Sequence, residues 1–184
     1  QALPVAITVE GANILTRTLM TFAQGVLRAH PYLLKEIQAV QNKDREAGLN
    51  AFDSAFGGHT RFMLRNIVAS FLHGMSNGAF ASSPNEGPMA RYYRRLHRYT
   101  QDFALVADWT TVVLGGALKR KQKISGRMAD LLGDLYLMSA TLKRFDEEGR
   151  IAEDRELVEA ILQDRIAQME KTFGEVFDNF PNPV

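Results

Sequence analysis

Three segments in the second half of the chain carry apolar side chains at alternating intervals of three and four residues. This spacing places the side chains on one face of a helix. Three helices that each present a continuous apolar face are expected to bury those faces against one another in a bundle. The three apolar faces, here called the tail seams, consist of Leu96, Tyr99, Phe103, Val106, Thr110, Val113 and Ala117; of Met128, Leu131, Leu135, Met138, Leu142 and Phe145; and of Leu162, Ile166, Met169, Phe173, Val176 and Phe180.

The first half of the chain has shorter helical patterns with Gly and Pro between them. Leu15, Leu19, Phe22 and Val26 predict a helix that Pro31 interrupts, and a shorter helical segment is expected at about 32–44. The sequences GLN and FGGH favour a loop around 48–59, and SSPNEGP at 82–88 indicates a clear break. Between these two regions a further core-facing stripe is expected, formed by Leu64, Ile67, Val68, Phe71, Leu72 and Met75.

These patterns predict an all-α protein, an antiparallel bundle of about six helices with no sheet. Only VAIT at residues 5–8 is typical of an extended segment, and one short run cannot form a sheet. The helix of the first tail seam is expected to be the longest. The paired glycines Gly115 and Gly116 fall inside that seam, where they favour a close helix approach or a local kink.

Composition excludes several classes of function. The chain has 184 residues, a formal net charge of +1 and no Cys, so disulfides and thiolate chemistry are absent and no overall field attracts nucleic acid. Its four histidines, His30, His59, His73 and His97, lie far apart without the spacing of metal ligands, so no metal site is predicted. Because the chain starts with Gln1 and has no signal-peptide pattern or long apolar window, we expect a piece of a longer protein.

A basic cluster marks the start of the first tail-seam helix, where Tyr92, Tyr93 and Tyr99 are interleaved with cations. Because cations at a helix N-terminus oppose the helix dipole, the cluster has no explanation within its own helix. Phosphate groups, a solvated face and pairing with neighbouring carboxylates all remain open as explanations. The cluster consists of Arg91, Arg94, Arg95 and Arg98, with His97.

Glu10 stands between a short β-branched run and Gly11, ahead of a helical pattern. A carboxylate on a loop that enters a helix, beside Ile7 and Val9, would be partly removed from water, which favours a general base. The alternative is an ordinary acidic residue that stabilises a helix N-terminus. From the residues alone both interpretations are equally supported.

The run EGANILTR, from Glu10 to Arg17, resembles the acyl-CoA dehydrogenase signature, in which Glu-Gly precedes the last helix of the C-terminal helical domain and an Arg follows the Glu by seven residues. The stretch LGGALKRKQKISGRMADLLGDLYLMSATLKRF and the closing NFPN are similar to the C-terminal extension of bacterial long-chain members. The resemblance spans essentially the whole chain. It implies that residues 1–46 end the C-terminal helical domain and carry the catalytic-base loop, and that residues 47–184 form a helical extension.

The resemblance also implies roles for the residues of the motif. Glu10 would be the base that removes the α-proton of a fatty acyl-CoA thioester while a hydride leaves the β-carbon for FAD. Gly11 would allow the thioester to approach the backbone, and Ala12, Asn13 and Ile14 would contribute to cofactor binding. Val9 replaces the family's aromatic residue and Ala12 its threonine, so the expected flavin contacts of this segment are backbone contacts.

The expected protein is therefore the C-terminal fragment of an FAD-dependent acyl-CoA dehydrogenase of fatty-acid β-oxidation. Most of the FAD site would lie in parts of the enzyme outside this chain, so the fragment alone is expected to be inactive. The resemblance implies a cytoplasmic homo-oligomer when full length, with association at the inner membrane surface, and it leaves the electron-transfer partner unknown. The net charge of +1 predicts no nucleic-acid partner. The alternative hypothesis is a non-catalytic helical module for dimerisation or membrane-surface docking.

Overall fold

A computed structural model describes residues 3–84 and 86–180. Within them the elements are helical, and the prediction of an all-α fold without a sheet is confirmed. A continuous helical segment comes first: α1 (Leu3–Leu15), π-helical turns at Thr16–Gln24 and α2 (Gly25–Ala29). With that segment counted as one, the described chain has six main helical units, as predicted. The others are α3 (Leu33–Val40), α4 (Arg45–Met75), α5 (Ala90–Leu114), α6 (Gln122–Glu147) and α7 (Arg155–Asp178), with 3₁₀ turns at Gly115–Lys119 and Ala152–Asp154.

The core lies around α6, which packs against α5, α7 and the π-helical turns. The second and third tail seams are confirmed as its main source, since their central side chains are fully buried. The first seam contributes Tyr99 and Val106, and Phe103 packs on the core with its ring 6.2 Å from that of Phe22, edge to face. Side chains with no exposed surface in this core are Met128, Leu131, Met138, Leu142, Leu162, Met169 and Val176.

Two predictions for the N-terminal segment are wrong. The VAIT run is helical, and Glu10 lies in the interior of α1 rather than on a loop entering a helix. An isolated extended run leaves its backbone N–H and C=O groups without partners, whereas a helix satisfies them locally. The Glu10 side chain is exposed in this arrangement.

The loop predicted around 48–59 is also wrong, because α4 runs through it without interruption. The glycines there allow α3 and its preceding turn to approach α4. A Cβ atom at Gly48 would lie 2.8 Å from the carbonyl oxygen of Ala39, and one at Gly58 would lie 2.5 Å from Cε1 of Tyr32. At 31 residues α4 is consequently longer than α5, which has 25, so the prediction that α5 is the longest helix is wrong.

The apolar stripe predicted to be core on the C-terminal half of α4 is exposed instead. Helix α5 packs on the same half of α4 through Asn66 and Ser70, which bond to Asp108 and Asp102, but the stripe is left largely uncovered. The relative exposure of its members ranges from 42% at Ile67 to 75% at Met75. The sequence pattern indicated the apolar face correctly, but no described element covers it. The exposed members are Leu64, Ile67, Val68, Phe71, Leu72 and Met75.

The break predicted at 82–88 is confirmed, whereas the prediction for the paired glycines Gly115 and Gly116 is wrong. Non-helical residues at 82–84 and 86–87 lie in the link between α4 and α5. Helix α5 ends at Leu114 because Gly115 has a φ of +45°, a conformation that side chains with a Cβ rarely adopt. The paired glycines therefore end the helix and start a 3₁₀ turn that contains Ala117, instead of kinking a continuous helix or allowing the predicted close approach of another one.

Candidate functional site

The residues predicted to form the catalytic segment all lie on α1 and are exposed. None of the described atoms lies within 4 Å of the position that a Cβ would take on Gly11, so the described surface beside Glu10 is open. In a helix the backbone N–H groups of this segment bond to carbonyls four residues earlier and are not free to hold a flavin or a thioester. The described residues around Glu10 therefore do not form a flavin site, and the catalytic and cofactor roles stay predictions. The segment comprises Glu10, Gly11, Ala12, Asn13 and Ile14.

Arg17, the arginine of the same motif, has a structural contact. Its Nε and Nη2 donate to the two carboxylate oxygens of Asp130 on α6, at 2.6 and 2.5 Å. These hydrogen bonds raise the pKa of Arg17 above its already high value. The guanidinium lies over Gly126, whose missing side chain leaves the space, since a Cβ there would be 3.0 Å from Nη1. Arg17 thus attaches the N-terminal segment to α6.

Two arginines of the basic cluster at the start of α5 lie beside carboxylates. Pairing with neighbouring carboxylates was one of the three open explanations for this cluster. Arg91 Nη2 donates to Glu159 on α7 at 2.7 Å, and its guanidinium lies 4.7 Å from the centre of the Tyr92 ring. Arg98 Nε lies 3.7 Å from the carboxylate of Asp102 one turn later. The cluster's contacts in this structure therefore include an ion pair between α5 and α7.

A buried polar cluster, which the sequence did not predict, joins the α2–α3 corner to α4 and α5. His30 Nε2 lies 2.8 Å from Asp108 Oδ1, and His59 Nδ1 lies 2.8 Å from Glu36 Oε1. Asn66 contacts the second oxygen of Asp108 at 3.4 Å. The two histidine rings are 4.7 Å apart, centre to centre. The residues come from four separate segments, so only the fold brings them together.

The sequence held one usable signal for this cluster. His59 and Asn66 are seven residues apart on α4, so they share a face of the helix, and both are buried. Asp108 is likewise an acidic residue within the apolar helix α5 and is only 2% exposed. A polar side chain at a buried helical position needs a partner, but the sequence does not say which residue provides it.

Two further polar groups have pKa values shifted by the fold. Burial raises the pKa of Asp134 on α6, although its hydrogen bond from Arg165 Nη1 on α7, at 2.9 Å, opposes the shift. Burial likewise raises the pKa of Tyr99, whose hydroxyl donates to Glu170 at 2.5 Å and so strengthens the shift. Both pairs connect neighbouring helices of the bundle, so their main effect is on packing.

The fold and the motif together define an all-α domain with a Glu-Gly signature on its first helix. Residues 27–184 match a sequence model of the family described as "Acyl-CoA dehydrogenase, C-terminal, bacterial type", so the chain belongs to this family. Glu10 precedes the matched residues. No solved structure matches the chain. None of the described helices combines the length and the apolarity that crossing a membrane requires.

Proposed function

We propose that this chain is the C-terminal part of an FAD-dependent acyl-CoA dehydrogenase that introduces the α,β double bond into fatty acyl-CoA thioesters during β-oxidation. The family match over residues 27–184 is the observation that carries the proposal. The EGANILTR motif at residues 10–17 precedes the matched region by nine residues, and the family resemblance implies a base at Glu10. In the intact enzyme Glu10 removes the α-proton of the substrate.

A base of this kind works within hydrogen-bond reach of its proton in a pocket that excludes water. The described neighbours leave Glu10 exposed, so the walls of that pocket come from parts of the enzyme outside this chain. The stretch before Glu10 has low helix propensity, because Thr8 and Val9 are β-branched and Gly11 follows. Its helical conformation therefore costs little to rearrange when those walls are present. The open surface at Gly11 supports close approach of the thioester.

FAD, in this proposal, is bound mainly by those other parts, with Ala12, Asn13 and Ile14 contributing backbone contacts after the rearrangement. The fragment alone is then colourless and inactive. The proposal also includes a cytoplasmic homo-oligomer, associated peripherally with the inner membrane surface, that passes electrons to an acceptor of unspecified identity.

The test is Glu10→Gln in the full-length enzyme, with flavin reduction by acyl-CoA followed in a stopped-flow instrument. Glutamine keeps the size of the side chain but cannot accept the proton, so the reduction rate is expected to fall at least about 100-fold. Glu153→Gln, at another exposed glutamate in a 3₁₀ turn, is the matched control and should leave the rate unchanged. A near-normal rate of flavin reduction in Glu10→Gln with FAD fully bound would refute the assignment of Glu10 as the base.

A second candidate, a helical interaction module, is favoured by the exposed apolar stripe on α4. A contiguous apolar surface of this kind marks contact with another surface more often than with water. Sedimentation of the chain over a range of concentrations, and flotation with anionic vesicles, test dimerisation and membrane docking. Leu64→Glu should abolish any association through this face, and Tyr136→Glu, at an exposed apolar position on α6, should not. If the chain remains monomeric and does not float with the vesicles, this candidate function is excluded.

A further inference from the structure

The buried cluster at the α2–α3 corner contains two carboxylates and two imidazoles. Among the described residues neither Asp108 nor Glu36 has an ion pair with a Lys or Arg. Asp108 pairs with His30, and Glu36 pairs with His59. The side chain of Asp108 is 2% exposed and that of the neighbouring His59 is 6% exposed, so water stabilises the Asp108 carboxylate little. A buried carboxylate without a cation is costly.

Both ring nitrogens of His30 have hydrogen-bond partners. Its Nδ1 accepts hydrogen bonds from the backbone N–H groups of Tyr32 and Leu33, at 3.2 and 3.1 Å, and so caps the start of α3. That role needs a lone pair on Nδ1, so the ring proton is on Nε2 and is donated to Asp108. The cap therefore fixes the His30 ring, whose Nε2 orients the Asp108 carboxylate.

His59 has the opposite arrangement. Its Nδ1 donates to Glu36, and its Nε2 is buried without a hydrogen-bond partner among the described residues. A histidine that binds a metal typically donates its other ring N–H to a carboxylate, which fixes the ring and raises its basicity. The Glu36–His59 pair has this arrangement, and the ring is further fixed by Tyr32, stacked at 6.1 Å and 10°.

We propose that this cluster binds one divalent transition-metal ion, with His59 Nε2 and the Asp108 carboxylate as ligands. One ligand atom from each of His30, His59 and Asp108 lies within 4.8 Å of the other two. Ions such as Zn²⁺ bind their ligands at about 2.0–2.2 Å, so the side chains draw together by about 1 Å to hold one ion. Asn66 provides a third ligand if its amide turns its oxygen toward the ion. Glu36 and His30 then orient the two principal ligands, and water completes the coordination. The ion's charge balances the two carboxylates.

The experiment is titration of the chelator-treated chain with Co²⁺, followed by calorimetry and visible absorbance. One equivalent is expected to bind, and saturating Co²⁺ should raise the Tm through mass action. His59→Gln should abolish stoichiometric binding. Glu36→Gln and His30→Asn, which keeps a capping oxygen, should weaken it about 10- to 100-fold, as changes in residues that orient ligands do.

The matched control is His97→Gln. His73 and His97 also form a histidine pair, with ring centres 5.1 Å apart, but the two are not part of the cluster of possible metal ligands. This variant should bind Co²⁺ as the parent does. Failure of the parent to bind one equivalent would overturn the proposal, as would retained binding in folded His59→Gln. If His59→Gln does not fold, the histidine ring signals of the parent are followed by NMR during the Co²⁺ titration. Ring signals that Co²⁺ leaves unshifted would also overturn the proposal.

Discussion

Two adjacent glycines on α4 should respond oppositely to the same substitution. Gly57 is exposed, and a Cβ there would meet nothing within 4 Å. At Gly58 the same atom would lie 2.5 Å from Cε1 and 3.1 Å from Cζ of Tyr32. Both positions are inside a continuous helix, so alanine brings the same gain in helix propensity to each. The difference between the two variants therefore isolates the contact with Tyr32.

The expected magnitudes follow from these environments. Gly57→Ala should raise the free energy of unfolding by about 0.5–1 kcal/mol, because alanine loses less conformational freedom in a helix than glycine. Gly58→Ala gains the same amount but must displace Tyr32, which packs on His59 and Phe62. Overpacking of this kind costs about 1–3 kcal/mol, so the net change should be destabilising.

Urea and thermal unfolding, followed by circular dichroism, measure both changes. In a domain of this length 1 kcal/mol corresponds to about 2–4 °C in Tm, so the two variants should differ by several degrees. Gly48→Ala is a second destabilising case, because its Cβ would meet the backbone oxygen of Ala39 at 2.8 Å, which a rotamer change cannot relieve. Equal effects at Gly57 and Gly58 would refute the reasoning and would favour the loop that the sequence pattern suggested.

Phe103→Ala should destabilise the chain by about 3 kcal/mol, since it removes a ring packed on Phe22 and the core. The control, Phe56→Ala at an exposed position, should change the Tm little. Similar Tm values for the two variants would contradict this packing. Arg165→Gln should cost about 1–3 kcal/mol at pH 7, where Asp134 is a buried carboxylate without its cation. The raised pKa of Asp134 means that the native state binds more protons than the unfolded state between the unfolded and folded pKa values, so stability from this group increases as the pH falls through that interval. The cost of Arg165→Gln should therefore shrink in urea titrations at acid pH, and an equal cost at pH 7 and at a pH below both pKa values would contradict the assignment.

The three tail seams could be predicted because helical periodicity is a local property. Apolar side chains repeated at three and four residues specify both the helix and the face that it buries, as Met138 and Leu162 show. The same rule predicted the apolar face of α4 but not its exposure. Periodicity says which side chains prefer to leave water, and it does not say whether another surface is present to cover them.

The glycines of α4 show where local rules fail. Glycines such as Gly48 and Gly58 are typical of loops, yet both lie within a helix. Glycine is required at these positions because α3 and Tyr32 occupy the space that a side chain would need. A glycine permits both outcomes, and only the position of a distant segment selects one. The helical state of the Glu10 segment is a similar case, since none of the described residues forms a strand that could pair with an extended run.

The buried cluster depended entirely on tertiary structure. His30 and His59 are 29 residues apart, and Asp108 is 49 residues further on, so no spacing rule connects them. They meet because the α2–α3 corner, α4 and α5 pack together. The sequence by itself thus determined the tail-seam helices and the motif that carries the family resemblance, but not the helical state of residues 48–59 or of the Glu10 segment. Tertiary packing decided which polar side chains share one buried site, because such contacts are fixed by the positions of whole helices and not by local order along the chain.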